Sequence, residues 1–469
     1  MGSTTVRKPV SGLLAVVITA IAVTSGVPSL LGSSGAFTVV PLAAFAGLVL
    51  LALGLTRFES FVLLALAVRP SLDWTKAESA SGGSSHNAAL LALLVVVLGL
   101  LWLAGRKRAG QTTRPSLVET GLLLFAGAGL VSIVGSARPV ASLLEFARIA
   151  AVVAMFVILR RMLLSGNTNM RRIVAAVYVS SILPLAAAAY QAASGQATLE
   201  TQGFDRIRGT FLHPSPFASY LTLLIVMGAA IYPHLERRLR AAMLVLLAGC
   251  SVSLLLTYTR IAWLATIVGL VMVGLWQNRR MIAVLVGSLV VLALAVPSVT
   301  GRFADIEEER NPSGTAANSL VWRFDYWRDV AQLSAENPLT GIGLKMIEFT
   351  TEEGVPAHND YVRAYVETGL LGLIMFIGLL FGMCRTARRA LERTRTGLER
   401  GTAVGFAGCV GAYMVLSLTG NVFSQVVVLW YFAAFAATTD VISMGASASL
   451  TSKSDGCDQI APHPSVPSS

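Results

Sequence analysis

Apolar runs long enough to cross roughly 30 Å of hydrocarbon recur along this chain from Val10 to Met444, and that repetition limits the fold more than any single motif does. Counting them gives about 12–14 spans. Inside hydrocarbon every backbone amide and carbonyl must be satisfied within the segment or a closed barrel, so runs of this length fold as helices and pack as a bundle. A water-soluble alternative fails on composition. With 55% hydrophobic and 13% charged residues, the 469-residue chain has too little polar surface to cover a globule. The fold class expected is therefore all-α, a polytopic transmembrane bundle. The first run, Val10 to Leu31, follows Arg7 and Lys8 as a secretory signal would. More apolar runs come at once, so it reads as a retained span.

The formal net charge of +11 raises the question of a nucleic-acid partner, and the placement of the charges answers it. Basic residues sit in every second short loop: Arg106 to Arg108, Arg160 and Arg161 with Arg171 and Arg172, Arg237 to Arg240, Arg279 and Arg280, and the run from Arg385 to Arg400. These loops belong in the cytoplasm. The intervening segments 70–86, 194–214 and 298–359 are poorer in basic residues, and the longest carries Asp305, Glu307, Glu308, Glu309, Glu352 and Glu353, so they face outward. The surplus records topology. No basic patch is interleaved with aromatics, and nucleic acid is excluded as a partner. The cysteines Cys250, Cys384, Cys409 and Cys457 show no metal or disulfide spacing. Three regions follow: N-terminal transmembrane spans over 1–193, a second transmembrane region over 194–443 that includes the outer loop 298–359, and a disordered cytoplasmic tail over 444–469, whose polar composition cannot bury enough apolar area to fold.

Polar information concentrates at three span starts. Phe204 to Leu221 leads an outer loop through Arg206, Arg208, His213 and Pro214 into a span, where Ser215 before Pro216 is the expected cap. Thr257 to Leu264 is a tight turn in which Thr259 is the expected cap and Arg260 lies in the first turn. Ala357 to Gly369 opens with His358, and Asn359 or Asp360 is the expected cap. Two spans separate each cluster from the next, so all three helices start on one face. Helix N-termini offer unpaired amides and a positive dipole end, and arginine adds a planar fork of donors suited to diphosphate. Together they make an anion trap. Elsewhere, Arg69 reads as a snorkelling anchor, Glu145 and Arg148 as a pair or cavity-facing residues, His213 as structural, and Arg363 with Glu367 as an i,i+4 ion pair. Trp322, Tyr326 and Trp327 fit an amphipathic helix within the long loop.

These clusters resemble the O-antigen ligase and O-antigen polymerase family of bacterial membrane glycan transferases. The resemblance runs over roughly residues 200 to 385. It rests on Arg206 and Arg208 with Gly209-Thr210-Phe211, on Pro214-Ser215-Pro216-Phe217-Ala218, on Thr259-Arg260, and on His358-Asn359-Asp360-Tyr361 with Glu367-Thr368-Gly369-Leu370-Leu371-Gly372. Arg323 with Trp327 and the stretch Asn337 to Gly343 are also family-like. Ser215 and Thr259 stand where the family usually has asparagine and serine.

The resemblance implies a glycosyltransferase with a fold like the class C membrane glycosyltransferases. Its donor would be a polyprenyl-diphosphate-linked glycan and its acceptor a hydroxyl on a glycan, glycolipid or protein, either as polymerase or as ligase. Transfer would be inverting, without cofactor or metal, at the periplasmic or extracellular face of the bacterial cytoplasmic membrane. Diphosphate binding falls to Arg260 with Arg206 or Arg208, general-base duty to His358, and support to Asn359, Tyr361, Arg323, Arg363 and Glu367. The competing reading is a transporter or flippase of an anionic or lipid-linked substrate, which would be expected to bury acids within its spans, whereas the polar clusters noted above gather at span starts.

Overall fold

The computed structural model describes residues 47–73, 87–108, 114–196, 198–201, 204–295 and 319–445. The first run Val10 to Leu31, the loop acids Asp305 to Glu309 and the tail from 446 onward lie outside the described residues. Within them the protein is a multi-pass membrane protein, with ten helices long and apolar enough to span a bilayer. The count falls below the 12–14 runs for identifiable reasons. The apolar stretch 47–68 divides at Arg57 into α1 (Gly47–Thr56) and α2 (Phe58–Val68), each too short to cross alone, and the run after Arg279 is described as only 16 residues.

The remaining helices are α3 (Asn87–Arg108), α4 (Leu117–Ser132), α5 (Pro139–Leu164), α6 (Met170–Val179), α7 (Ile182–Ser194), α8 (Pro214–Ile231), α9 (Arg237–Leu256), α10 (Arg260–Gln277), α11 (Arg280–Ala295), α12 (Ser319–Gln332), α13 (Ile347–Thr350), α14 (Asp360–Arg393), α15 (Gly397–Thr419) and α16 (Val426–Met444). A two-stranded antiparallel hairpin, β1 (Leu199–Thr201) with β2 (Phe204–Arg206), pairs Leu199 with Arg206 ahead of α8. Helices α15 and α16 occupy the centre, 83% of each apolar window being buried against 22% for α3 and α9 at the periphery. Around them α15 packs on α8, α10 and α14, while α5 packs on α16 and α4 on α14. One apolar core therefore runs through residues from both halves of the chain.

The bundle has two chemically different ends. At one, the basic loops gather: Arg400 at the start of α15 donates to the Trp276 carbonyl near the end of α10, and Gln277 of α10 donates to the Ala230 carbonyl near the end of α8. Just inside this end Arg160, fully buried, donates from Nε to Asp440 at 2.6 Å and from Nη1 to Glu119 at 2.9 Å, and Arg161 also donates to Glu119 at 2.7 Å. That network ties α4, α5 and α16 together. At the opposite end α8, α10 and α14 all begin, as the parity of crossings predicts.

Within α14 the helical ladder breaks at Gly369, whose φ of 68° and ψ of −172° fall in a region essentially confined to glycine. The loop 337–343 fills the break. Leu370 N donates to Pro338 O at 2.8 Å and Leu371 N to Leu339 O at 3.2 Å, while Ile342 N and Gly343 N donate to the carbonyls of Val366 and Glu367. A Cβ on Gly369 would lie 2.2 Å from the Leu339 carbonyl, and one on Gly341 would lie 2.5 Å from the Glu367 backbone. Two sequence stretches that look unrelated are thus halves of one backbone joint. Helix α12 lies against the segment that follows this loop, with Tyr326 Oη donating to Val355 O and Trp327 Nε1 to Ala357 O, both at 2.6 Å. Its apolar residues Tyr326 and Val330 pack with Ile347, Ala357 and Val366, as the aromatic spacing predicts.

Candidate active site

The first two clusters meet through Arg206. Its Nε donates to Thr257 O at 2.7 Å and its Nη2 to Thr259 Oγ1 at 2.8 Å, while Ile207 N donates to Leu256 O at 3.2 Å. The hairpin before α8 is thereby fastened to the turn between α9 and α10. Thr259 occupies the N-cap position, but its hydroxyl does not cap the helix; it accepts from Arg206 instead. The cap expected at Ser215 is also corrected, because α8 begins two residues earlier than that cap requires: Pro214 takes the first position, where its missing N–H costs nothing, and His213 becomes the N-cap residue without a side-chain cap bond. Arg208 is partly buried and donates from Nη1 to Leu212 O at 3.2 Å. Buried Gln191 of α7 shapes its turn, with Oε1 accepting from Arg208 N at 3.0 Å and Gly209 N at 2.9 Å, and Nε2 donating to Gly209 O at 2.8 Å. His213, which the sequence places as structural, stands close enough to Arg208 and Arg206 for their charges, after its burial, to lower its pKa.

Arg323 on α12 lies near enough to the second and third clusters for charge to act between them. Its pKa is lowered, first by burial and then by the charge of Arg260, and His358 is in turn lowered to about 4, first by burial and then by the charge of Arg323. No carboxylate or other hydrogen-bond partner of Arg323 occurs among the described residues. Like charges held near one another raise each other's energy, and the arrangement suits an anion.

His358 itself is held by a residue the sequence did not single out. Asn421, in the turn between α15 and α16, accepts from His358 N through Oδ1 at 2.9 Å and meets His358 Nδ1 with its Nδ2 at 3.0 Å. The bond supports a backbone at φ 52°, a left-handed conformation uncommon outside glycine. Asn359 caps α14 as expected, its Oδ1 accepting from Tyr361 N at 2.9 Å and Val362 N at 3.1 Å. Asp360 is buried and accepts from Ser417 Oγ at 2.9 Å, Val422 N at 3.1 Å and Phe423 N at 3.3 Å, bolting the start of α14 to the same turn. No sequence motif announces this contact, since Asn421 lies 63 residues from His358.

One turn deeper, Arg363 donates from Nε to Glu367 at 2.9 Å and from Nη2 to Glu145 of α5 at 3.0 Å, and Arg148 donates to Glu145 at 2.7 Å. The i,i+4 pair and the Glu145–Arg148 pair are both present, joined into one network that is buried except for the half-exposed Arg148. Tyr361 Oη donates to Met414 O at 3.2 Å, which leaves it a packing role. Arg69 corrects its expectation: it is 5% exposed, with its guanidinium 5.9 Å from the Trp430 ring, and does not snorkel. The contrast with transporters is corrected as well, because Glu119, Glu145, Asp360, Glu367 and Asp440 are all buried. Each has a hydrogen-bonding partner. Among the described residues no group of three or more His, Cys, Asp or Glu side chains is placed to hold a metal ion.

Residues 240–377 match the O-antigen ligase family. That stretch is similar to the O-antigen ligase domain. That family is one of glycan-transferring enzymes, and no curated protein matches the chain. The O-antigen ligase match begins inside α9 and ends inside α14, so it contains Arg260, Arg323, His358, Asn359, Tyr361, Arg363 and Glu367. Arg206 and Arg208 lie before it and Asn421 after it; their connection to the site is the hydrogen-bond geometry above.

Proposed function

We propose that this protein transfers a polyprenyl-diphosphate-linked glycan to an acceptor hydroxyl at the outer face of the bacterial cytoplasmic membrane. The observation that carries the reading is Arg323, partly buried, close enough to Arg260 and His358 for charge to act between them, and without a carboxylate partner among the described residues. A diphosphate leaving group supplies that anion, and the guanidinium forks stabilise the charge that grows on it as the glycosidic bond breaks. Arg208 completes the set better than Arg206, whose Nε and Nη2 are committed to Thr257 and Thr259. His358 stands where the acceptor and the diphosphate meet. Displacement in line with the leaving diphosphate inverts the anomeric centre. The cationic donors provide the charge that a metal ion supplies elsewhere, so transfer proceeds in chelator.

The outer-face assignment is supported by the basic loops, which gather at the end opposite the site. Whether the acceptor is a growing glycan or a different glycolipid or protein decides between polymerase and ligase. The test is reconstitution in lipid vesicles with a polyprenyl-diphosphate oligosaccharide and candidate acceptors, in the presence of EDTA. Product with inverted linkage by NMR is expected from the wild type and about 10²–10³-fold less from Arg323→Ala. Unimpaired transfer by Arg323→Ala, or transfer only with added divalent metal, would overturn the mechanism.

A further inference from the structure

We infer that Asn421 fixes neutral His358 as the tautomer protonated on Nε2, so that His358 meets the reacting groups as a hydrogen-bond donor and not as a proton acceptor. The inference rests on the transfer reading for its chemistry but on hydrogen-bond logic for its geometry. His358 N is a backbone amide and can only donate, so the Asn421 atom 2.9 Å from it must be the carbonyl oxygen. The other end of the same side chain, 3.0 Å from His358 Nδ1, is then the NH₂ group, which can only donate. Nδ1 must accept. In a neutral imidazole the remaining nitrogen, Nε2, therefore bears the proton. Reversing the amide does not rescue the other tautomer, because the NH₂ group would then face the backbone N–H. Burial and the neighbouring Arg323 charge keep the ring neutral near pH 7, so the second proton that would make both nitrogens donors is absent.

The consequence is a division of labour. The acceptor oxygen bonds to the anomeric carbon, and the bond from that carbon to the diphosphate oxygen breaks with its electron pair leaving on the diphosphate. The Nε2–H of His358 donates to an oxygen that gains charge in this step, alongside the arginines. The acceptor's hydroxyl proton departs to water once the new bond has formed, and His358 begins and ends the cycle neutral. Asn421 is a positioning residue, acting through His358.

The first measurement needs no substrate. ¹⁵N spectra of histidine-labelled protein in lipid nanodiscs, with the His358 signals assigned by their loss in His358→Gln, report which ring nitrogen carries hydrogen; Nε2–H is expected, and Nδ1–H overturns the inference. The second uses turnover. His358→Ala should lose about 10²-fold or more, whereas His358→Gln, whose amide NH₂ can reach the place of Nε2 but cannot take up a proton, should be about 10-fold or more faster than the alanine variant. A glutamine variant as inactive as the alanine variant overturns the donor role. Asn421→Asp, which replaces the donating NH₂ with an accepting oxygen, should move the proton to Nδ1 in the spectrum and lower turnover; a rise in turnover restores the general base and refutes the inference. If the wild type transfers no glycan to any acceptor while Nε2–H is observed, the transfer reading falls and the tautomer stands.

Discussion

Replacing Gly369 with alanine tests the joint between α14 and the loop 337–343. The native φ of 68° with ψ of −172° costs a residue bearing Cβ about 1–3 kcal/mol in backbone strain. The added carbon also meets the Leu339 carbonyl at 2.2 Å and Thr340 N at 2.5 Å, both backbone atoms without a rotamer to yield. The loop must withdraw, which sacrifices the bonds from Leu370 N and Leu371 N to Pro338 O and Leu339 O, at about 0.5–1.5 kcal/mol each. The combined loss is about 2–6 kcal/mol. Gly341→Ala attacks the same contact from the other side, its Cβ meeting Glu367 O at 2.6 Å. Once either variant has opened the joint, the second has less left to break, so the double variant should be clearly less destabilised than the sum of the singles. Unfolding midpoints in detergent, followed by circular dichroism for the wild type, both singles and the double, measure this directly. A wild-type midpoint for Gly369→Ala, or strict additivity of the pair, would refute the joint.

Arg323→Ala should abolish most turnover yet leave the unfolding midpoint unchanged or higher, because it removes a cation crowded by Arg260; thermal unfolding beside the transfer assay reads both. Arg160→Met strands the buried carboxylate of Asp440 and halves the pairing of Glu119, and should cost about 3–5 kcal/mol in denaturant unfolding. Asn359→Ala removes the acceptor for Tyr361 N and Val362 N and should cost about 1 kcal/mol in the same measurement. For pH, the folded state holds His358 at about 4 against an ordinary 6.5, so between those values the unfolded chain binds more protons and stability falls as pH is lowered through that window. His213, lowered in the same direction, adds to the slope, and the midpoint-against-pH curve of His358→Gln should be shallower there than that of the wild type.

What the sequence made legible was local. The helix starts at Arg260 and Asp360, the Asn359 cap, the Arg363–Glu367 spacing and the aromatic face of α12 each depend on residues within a few positions of one another, where helical periodicity carries the information. The start of α8 departs from the Ser215 expectation because Pro214 is the better first residue and the two signals are adjacent. Arg206 and Arg208 were interchangeable in sequence, and only the fold shows that Arg206 turns back onto the Thr257 to Thr259 turn. The long-range pairs were invisible: Asn421 is a single polar residue after a span, and Glu145 lies 218 residues from Arg363. An asparagine in a loop has many common roles, and nothing local distinguishes one that will orient a histidine.

The two ends of the bundle together bear on the choice between chemistry and transport. Every carboxylate buried in a span is matched by an arginine or, for Asp360, by a hydroxyl and two backbone amides, so none among the described residues is left to relay protons. A carrier of diphosphate would also need cations facing the basic end that can receive the anion there. The buried cation nearest that end, Arg160, is already enclosed by Asp440, Glu119 and the Arg114 carbonyl, and opening it would leave those carboxylates unpaired in the membrane interior. Arg323 is different in kind, since it has no carboxylate partner among the described residues to forfeit when diphosphate arrives. An anion is thus favoured at the end where α8, α10 and α14 begin and has no matching stop among the described residues on the way across, which is the asymmetry expected of a site that works on a lipid-linked substrate from one side.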